Sequence, residues 1–181
     1  MKDREVVLGV CGGIAAYKAA MLSSRLVQAG TVVSVVMTAS AQKFVGAATF
    51  AALTSRPVHT EVIDPSSSPL GGHIELAERS EVLCIVPATA NFLAKAATGL
   101  ADDLLSTLYL AFEGPVLIAP AMNSAMRQLA EVQRNGKQLR EDGATFIDPE
   151  EGWQSCRRTG AGRMAQPEAI LKVIESTLAC K

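Results

Sequence analysis

The chain is poor in the residues that most often mark a metal or nucleic-acid site. It has two histidines, His59 and His73, and four cysteines, Cys11, Cys84, Cys156 and Cys180. No two cysteines form a C-x-x-C pair, so a zinc site is not expected. Net charge is −1 and the sequence has no Lys/Arg run, which argues against nucleic acid as a partner. No apolar stretch approaches the roughly 20 residues that a membrane-spanning helix needs, so no membrane association is expected. The first residues, Met1-Lys2-Asp3-Arg4-Glu5, run into a strand pattern without a signal-peptide core. A cytoplasmic protein is the resulting expectation.

The composition is that of a folded domain. Hydrophobic residues make up 49% of the 181 positions and charged residues 19%, which excludes a disordered chain and suffices for one large core. Strand-like and helix-like runs alternate. Residues 5–10, 32–37, 82–86, 116–119 and 145–147 are apolar or β-branched and short. Residues 14–29, 41–53, 128–142 and 167–178 carry helical spacing, the last opening on Pro167 at a first helical position. The wholly apolar runs suit strands buried on two faces. This alternation predicts an α/β fold: a single-domain, doubly wound parallel sheet with helices on both faces. Two segments, 64–72 and 149–162, read as loops, and long loops in compact domains often bind or cover ligands.

Several segments carry chemistry, each with a plainer structural reading beside it. The first crossover, Gly9-Val10-Cys11-Gly12-Gly13-Ile14, places glycines between a strand and a helix, where backbone N–H groups can approach an anion; a tight turn without ligand is the alternative. Thr38 and Ser40 put hydroxyls after the second strand, as phosphate or ribityl ligands or as helix caps. Ala88-Thr89-Ala90-Asn91 follows the 82–86 strand with small residues that admit a flat ligand, and here too Asn91 can be a cap. Pro120-Ala121-Met122-Asn123-Ser124-Ala125-Met126 sets Asn123 at a strand's C-terminal edge, where open α/β sheets bind ligands. Its carboxamide can donate and accept, or simply cap the next helix. His73 follows Gly71-Gly72 and opens a short helix, with room beside it for a ligand; a lone histidine is otherwise a packing or surface residue. Cys156 stands before Arg157, Arg158 and Arg163 in an electropositive, glycine-rich segment suited to anionic substrates, or is an incidental thiol in a solvated loop. Cys11 and Cys84 lie in apolar runs and read as small buried hydrophobes.

Taken in order, these segments resemble the flavin-dependent cysteine decarboxylases, most closely the phosphopantothenoylcysteine decarboxylases, over about the whole chain. The family's PASANT motif is loosely matched by Pro87-Ala88-Thr89-Ala90-Asn91-Phe92. Its PXMNXXMW motif is matched by residues 120–126, its active-site histidine in His-Ile-Glu-Leu by His73, and its clamp cysteine before a Gly-x-Gly-Arg/Ala-Met run by Cys156 and residues 160–164. The departures are Arg127 in place of the motif's final aromatic and Arg157-Arg158 in place of Gly-Asp after the cysteine.

The resemblance implies FMN held by Gly12, Gly13, Ile14, Thr38, Ser40, Phe44, Ala88, Thr89, Ala90, Asn91 and Ala121. It implies a small cysteine-containing substrate held by Asn123, Met126, Arg163 and Met164 under a clamp loop at 149–164, with His73 and Cys156 as catalytic residues. It implies a homotrimer or dodecamer with flavin at subunit interfaces. The reaction implied is decarboxylation of 4'-phosphopantothenoylcysteine to 4'-phosphopantetheine in coenzyme A biosynthesis. FMN oxidises the thiol-bearing carbon, CO2 leaves, and the resulting enethiol is reduced with a proton from Cys156. Peptidyl-cysteine decarboxylases, which stop at the enethiol, and non-catalytic regulatory flavoproteins are the rival readings within the resemblance. Cys156 favours the first reading, since an enzyme that stops at the enethiol needs no reducing acid.

Overall fold

The fold is seen in a computed structural model, which describes residues 1–63 and 71–180. The chain runs β1 (Glu5–Val10), α1 (Ala16–Gln28), β2 (Val32–Met37), a 3-10 turn (Ala41–Lys43), α2 (Ala47–Thr54), β3 (Val58–His59) and α3 (Gly72–Arg79). It continues through β4 (Val82–Ala88), α4 (Ala90–Thr98), α5 (Leu104–Ala111), β5 (Val116–Pro120), α6 (Ser124–Gln128), α7 (Ala130–Glu141) and β6 (Thr145–Phe146). It ends with β7 (Glu150–Trp153), β8 (Thr159–Arg163) and α8 (Pro167–Ala179). Six strands form one sheet in the order β3-β2-β1-β4-β5-β6, every neighbouring pair parallel. Among the described residues, no helix is long and apolar enough to cross a membrane.

The apolar runs explain the two-sided burial. Successive side chains of a strand point to opposite faces, and each face here meets its own helical layer. Val6, Leu8 and Val10 join Val82, Cys84 and Val86 in a core with Leu22 and Leu26 of α1 and Ile170 and Ile174 of α8. Val7, Leu83 and Ile85 join a second core with Phe92 and Leu93 of α4 and Leu105 and Leu108 of α5. A strand with an apolar side chain at each position can be satisfied only by covering both faces, as in the doubly wound sheet that the alternation predicts.

Three sequence expectations are corrected. The helix expected over 41–53 is broken: after the 3-10 turn, Gly46 adopts extended backbone (φ −69°, ψ 145°) and α2 starts at Ala47. Glycine beside β-branched Val45 is a weak place for a helix to continue. The helix expected over 128–142 is α7 over 130–141, starting two residues later because Leu129 is extended (φ −62°, ψ 137°) after the short α6 that ends at Gln128. The segment 149–162, expected as a loop, contains an antiparallel hairpin of β7 and β8. Its Gly-rich second strand lacks alternating apolar residues, so only the backbone ladder reveals it. Of the other expected loop, 64–72, residues 64–70 lie outside the described residues. The sequence reading assigned no element to β3 or α5. Strand 82–86 runs on to Ala88, and one residue, the cap Thr89, separates it from α4.

Leu8 tests the two-sided core. It is 0% exposed, in register with Val35 of β2 and Cys84 of β4. Leu8→Ala should lower stability by about 2–5 kcal/mol, the range for a leucine lost from a core that collapses only partly. The check is urea unfolding: the midpoint falls while the slope stays, and an unchanged midpoint would mean that the sheet interior is loosely packed.

Candidate active site

Strand order reverses direction of growth at β1 and β4, and the connections leaving their C-terminal ends go to opposite sides of the sheet. A crevice opens there. The β1–α1 turn forms one wall. Cys11 N–H donates to the Pro87 carbonyl at 3.2 Å, tying the turn to the end of β4, and Ala16 N–H donates to the Gly13 carbonyl at 2.9 Å. Gly12 presses against the turn after β2: a Cβ on it would collide with the Ser40 side chain and lie 2.8 Å from the Ser40 carbonyl carbon. Gly13 has nothing within 4 Å of its Cβ position and faces open space. One glycine thus gives close contact between two turns and the next leaves a bare backbone surface.

Two clefts share this edge. The larger, about 580 Å³, is bounded by Gly12 and Gly13, Thr38 and Ser40, Thr89, Ala90 and Asn91, Ala121, and Met126. It lies within the range of small-molecule sites. Thr38 Oγ1 accepts from Ala41 N–H at 3.2 Å, so the capping role falls to it, while Ser40 makes no side-chain cap bond. Thr89, not Asn91, caps α4 by accepting from Phe92 N–H at 3.3 Å, which leaves the exposed Asn91 carboxamide uncommitted to the cap. The far wall holds a charged pair absent from the sequence reading: Lys95 Nζ lies 2.7 Å from Asp103 Oδ2 and 2.5 Å from Asp102 Oδ1. Burial pushes the Asp103 carboxyl up, but Lys95 and the Ser106 bonds outweigh it and hold it below its usual range. Asp103 also makes a capping box with Ser106 at the head of α5.

The second cleft, about 300 Å³, meets the first at Gly13, Ala121 and Met122. Ile14, Asn123, Cys156, Arg163 and Met164 line it, together with Lys18, Trp153 and Gln154. The β7–β8 hairpin closes over the loop after β5 by glycine contacts. A Cβ on Gly162 would collide with the Met122 carbonyl oxygen, and one on Gly160 with Ser124 Oγ. Met122 N–H donates to the Gly162 carbonyl at 3.2 Å. Glycines two apart on a strand share one face, so the Gly-Ala-Gly pattern is what lets β8 lie directly on the Asn123 loop. Asn123 Oδ1 accepts from Ala125 N–H at 2.7 Å, so the capping reading holds for its oxygen and its NH2 group stays available.

The remaining site candidates divide. Met126 belongs to the larger cleft, not beside Asn123 in the smaller one. Ala88 is 0% exposed beneath the crevice floor, and Phe44 is 51% exposed and lines neither cleft. His73 also lines neither; it is half-buried on α3, and its Nδ1 is buried without a partner among the described residues. Cys11 and Cys84 are both pushed up to about 12 by burial, with Thr89 opposing the shift at Cys11, and stay neutral thiols. Cys156, by contrast, is exposed. Among the described residues no cluster of three or more His, Cys, Asp or Glu side chains is placed to hold a metal ion.

Lys18 escaped the sequence reading. It sits on the buried stripe of α1 with Ala16, Ala19 and Leu22, and a lysine on an apolar stripe is the signal that would have found it. It is 4% exposed, and its Nζ donates to the Met164 carbonyl at 2.8 Å, pinning the end of the hairpin to α1. Burial lowers its pKa, Arg163 adds to the lowering, and Glu150 and Glu168 oppose it. The folded state therefore binds this proton less tightly than the unfolded chain, and stability contributed at this site rises with pH between the lowered value and 10.5. Wild type minus Lys18→Met stability, measured by chemical denaturation across that interval, should increase with pH. A flat difference would show that the ammonium is not desolvated.

A family model described as Flavoprotein matches residues 1–179. The coenzyme A biosynthesis bifunctional protein CoaBC of Bacillus subtilis is 45% identical over 179 residues, which are 99% of this chain and 44% of that protein. The chain thus spans less than half the length of that relative. Among solved structures, the FMN-dependent cysteine decarboxylase SpaF superposes with a TM-score of 0.83 at 35% identity, over 97% of each chain. A Cys→Ser variant of PPC decarboxylase complexed with pantothenoylaminoethenethiol gives a TM-score of 0.87 at 28% identity, over 98% of this chain and all of that one. With the match running from the first strand to the last helix, the chain belongs to the flavoprotein family.

Proposed function

We propose that this chain is an FMN-dependent decarboxylase that converts 4'-phosphopantothenoylcysteine to 4'-phosphopantetheine in coenzyme A biosynthesis. The observation that carries the reading is the pair of joined clefts at the sheet's switch point. Glycine backbone and the hydroxyls of Thr38, Ser40 and Thr89 bound one; Asn123 and Cys156 line the other. The coenzyme A relative and the PPC decarboxylase structure supply the substrate class.

The larger cleft fits FMN. Gly13 offers an uncovered backbone surface, Ser40 a hydroxyl free of capping, and Asn91 an exposed carboxamide. Gly12, Thr38, Thr89, Ala90 and Ala121 complete that wall, Ile14 adjoins it from the second cleft, and Phe44 and Ala88 take outer and underlying positions in this reading. When bound, FMN supplies the electron sink that a cysteine carboxylate lacks as it loses CO2.

The chain's own residues do the rest. The Asn123 NH2 group binds the substrate carboxylate or amide, since its oxygen is occupied by Ala125 N–H. Lys18 and Arg163 make the smaller cleft positive and hold an anionic substrate there. Met126 and Met164 give apolar contact, and the hairpin over residues 149–164 excludes water. Cys156 Sγ–H gives its proton to the carbon that carried the carboxylate; with the hydride that the flavin reduced in the first step would return to the thiol-bearing carbon, this completes the saturated amide-thiol product. An enzyme that stopped at an enethiol would not need this acid, so Cys156 in the cleft favours the phosphopantothenoylcysteine reading over action on peptides.

The working unit in this reading is a homotrimer, alone or grouped into a dodecamer. Tyr17 and Met21 are 51% and 43% exposed at helical spacing on α1, Ile14 in the turn just before it is 60% exposed, and Phe44 is 51% exposed. An apolar stripe of this kind on a cleft rim suits a subunit interface. His73, which lines neither cleft of its own chain, then serves the flavin of a neighbour. A cytoplasmic location accords with four free cysteines, the state favoured in a reducing compartment.

Two variants test the reading. The purified protein should be yellow, and His73→Asn should abolish CO2 release from phosphopantothenoylcysteine while FMN stays bound. Wild-type decarboxylation by that variant, or a colourless wild type that takes up no FMN, refutes it. Cys156→Ser should still consume substrate and release CO2 but accumulate an enethiol two hydrogens lighter than the normal product, with saturated product slowed at least about 100-fold, the usual scale of a lost general acid. Mass spectrometry of the products decides; normal product at an unchanged rate removes Cys156 from the chemistry.

A further inference from the structure

Gln154 stands at the C-terminal end of the first hairpin strand and is 9% exposed, although it belongs to a surface hairpin. Its backbone closes the turn: Gln154 N–H donates to the Arg158 carbonyl at 2.9 Å, and Arg157 N–H donates to the Gln154 carbonyl at 2.9 Å. Its side chain is gripped on three sides. Oε1 accepts from Ser124 N–H at 3.4 Å and from Cys156 Sγ–H at 3.5 Å, and Nε2 donates to the Gly160 carbonyl at 3.5 Å. The fit leaves no slack, because a Cβ on Gly162 would come within 2.7 Å of Nε2.

Most side-chain hydrogen bonds run to backbone or water rather than to another side chain. Here one oxygen is shared between the backbone of the Asn123 loop and a thiol. That sharing fixes the thiol's direction relative to the loop that holds the substrate. A side chain on a mobile turn has several rotamers, and a thiol that must deliver a proton to one carbon is effective in only one of them.

We infer that Gln154 is the positioning residue of Cys156: its carboxamide oxygen holds the sulfur in register with the Asn123 loop, and the S–H turns from that oxygen to the substrate carbon when the proton is delivered. The inference rests on Cys156 being the proton donor of the final reduction. Gln154 touches no reacting atom. Its loss leaves oxidation and CO2 release intact and impairs only the last proton transfer.

The test uses the FMN-loaded enzyme. Gln154→Leu keeps the volume and removes the acceptor; Gln154→Glu keeps an acceptor oxygen and removes the donor to Gly160. The ratio of enethiol to saturated product from phosphopantothenoylcysteine should rise roughly 3- to 10-fold in Gln154→Leu, the worth of one ordinary hydrogen bond. It should return near the wild-type ratio in Gln154→Glu. Adding Gln154→Leu to Cys156→Ser should change the ratio no further. A purely structural glutamine would slow all steps together and leave the ratio unmoved, and that result overturns the inference, as does full additivity in the double variant. A readout free of substrate separates this from failure of the functional reading. The rate at which iodoacetamide alkylates Cys156, followed by peptide mapping, should rise by a similar factor in Gln154→Leu, because the thiol is released from its acceptor. An unchanged alkylation rate refutes the contact even if the enzyme proves to act on another substrate; a wild type inert toward phosphopantothenoylcysteine refutes the functional reading alone.

Discussion

Burial of both faces of the parallel sheet is the constraint on which the molecule depends. Strands such as Val82–Ala88, buried along their whole length, leave no solvent-facing side chain from which to build a site. Chemistry is therefore displaced to the sheet's C-terminal edge, where the turns after β1, β2, β4 and β5 meet. The reversal of strand order between β1 and β4 sends their connections to opposite sides of the sheet and opens the crevice. The residues that line it are small or short because backbone, not side chain, forms much of the wall. Gly12 contacts the Ser40 turn, Gly13 stays bare, and Ala90 and Ala121 add little bulk.

The hairpin is a second layer of the same logic. It has no apolar core of its own, and it is held by backbone contact where Gly160 and Gly162 meet Ser124 and Met122. Lys18 reinforces the contact from below through the Met164 carbonyl. Desolvating an ammonium is unfavourable, and a single carbonyl partner offsets only part of it. Its retention there is intelligible because the same residue borders the smaller cleft, where a positive potential attracts an anion.

The sheet was legible because its signal is simple. Continuous apolar runs of strand length, spaced by helical periods, specify parallel strands with both faces covered, and the edge residues Gly12, Thr38, Thr89 and Asn123 could be placed as soon as those runs were. What could not be read has three physical causes. Hairpin β7–β8 is stabilised by main-chain bonds and glycine packing, so hydrophobic periodicity is silent about it. The breaks at Gly46 and Leu129 are changes of one backbone torsion within otherwise helical composition. Lys18 acts through one contact to a residue distant in sequence, Met164, and Gln154 joins Cys156 and Gly160 of its own hairpin to the distant Ser124, which no local pattern encodes. His73 stands in the motif that the resemblance rests on, yet it is not among the described residues that line either cleft.

Backbone geometry also explains one departure from the family pattern. The resemblance puts Gly-Asp after the clamp cysteine, and this chain has Arg157-Arg158. Arg157 adopts φ 60°, in the left-handed region, where its N–H closes the turn on the Gln154 carbonyl. Glycine takes that conformation without steric cost, whereas a residue with a Cβ is disfavoured there by about 1 kcal/mol. The turn is the same one that carries Cys156, so its shape is held by the Gln154 and Arg158 bonds against a residue that locally disfavours it. Both arginines are exposed on the turn that carries Cys156. A less favourable turn residue is thereby accompanied by two cations beside a thiol, where an anionic substrate would first meet the protein.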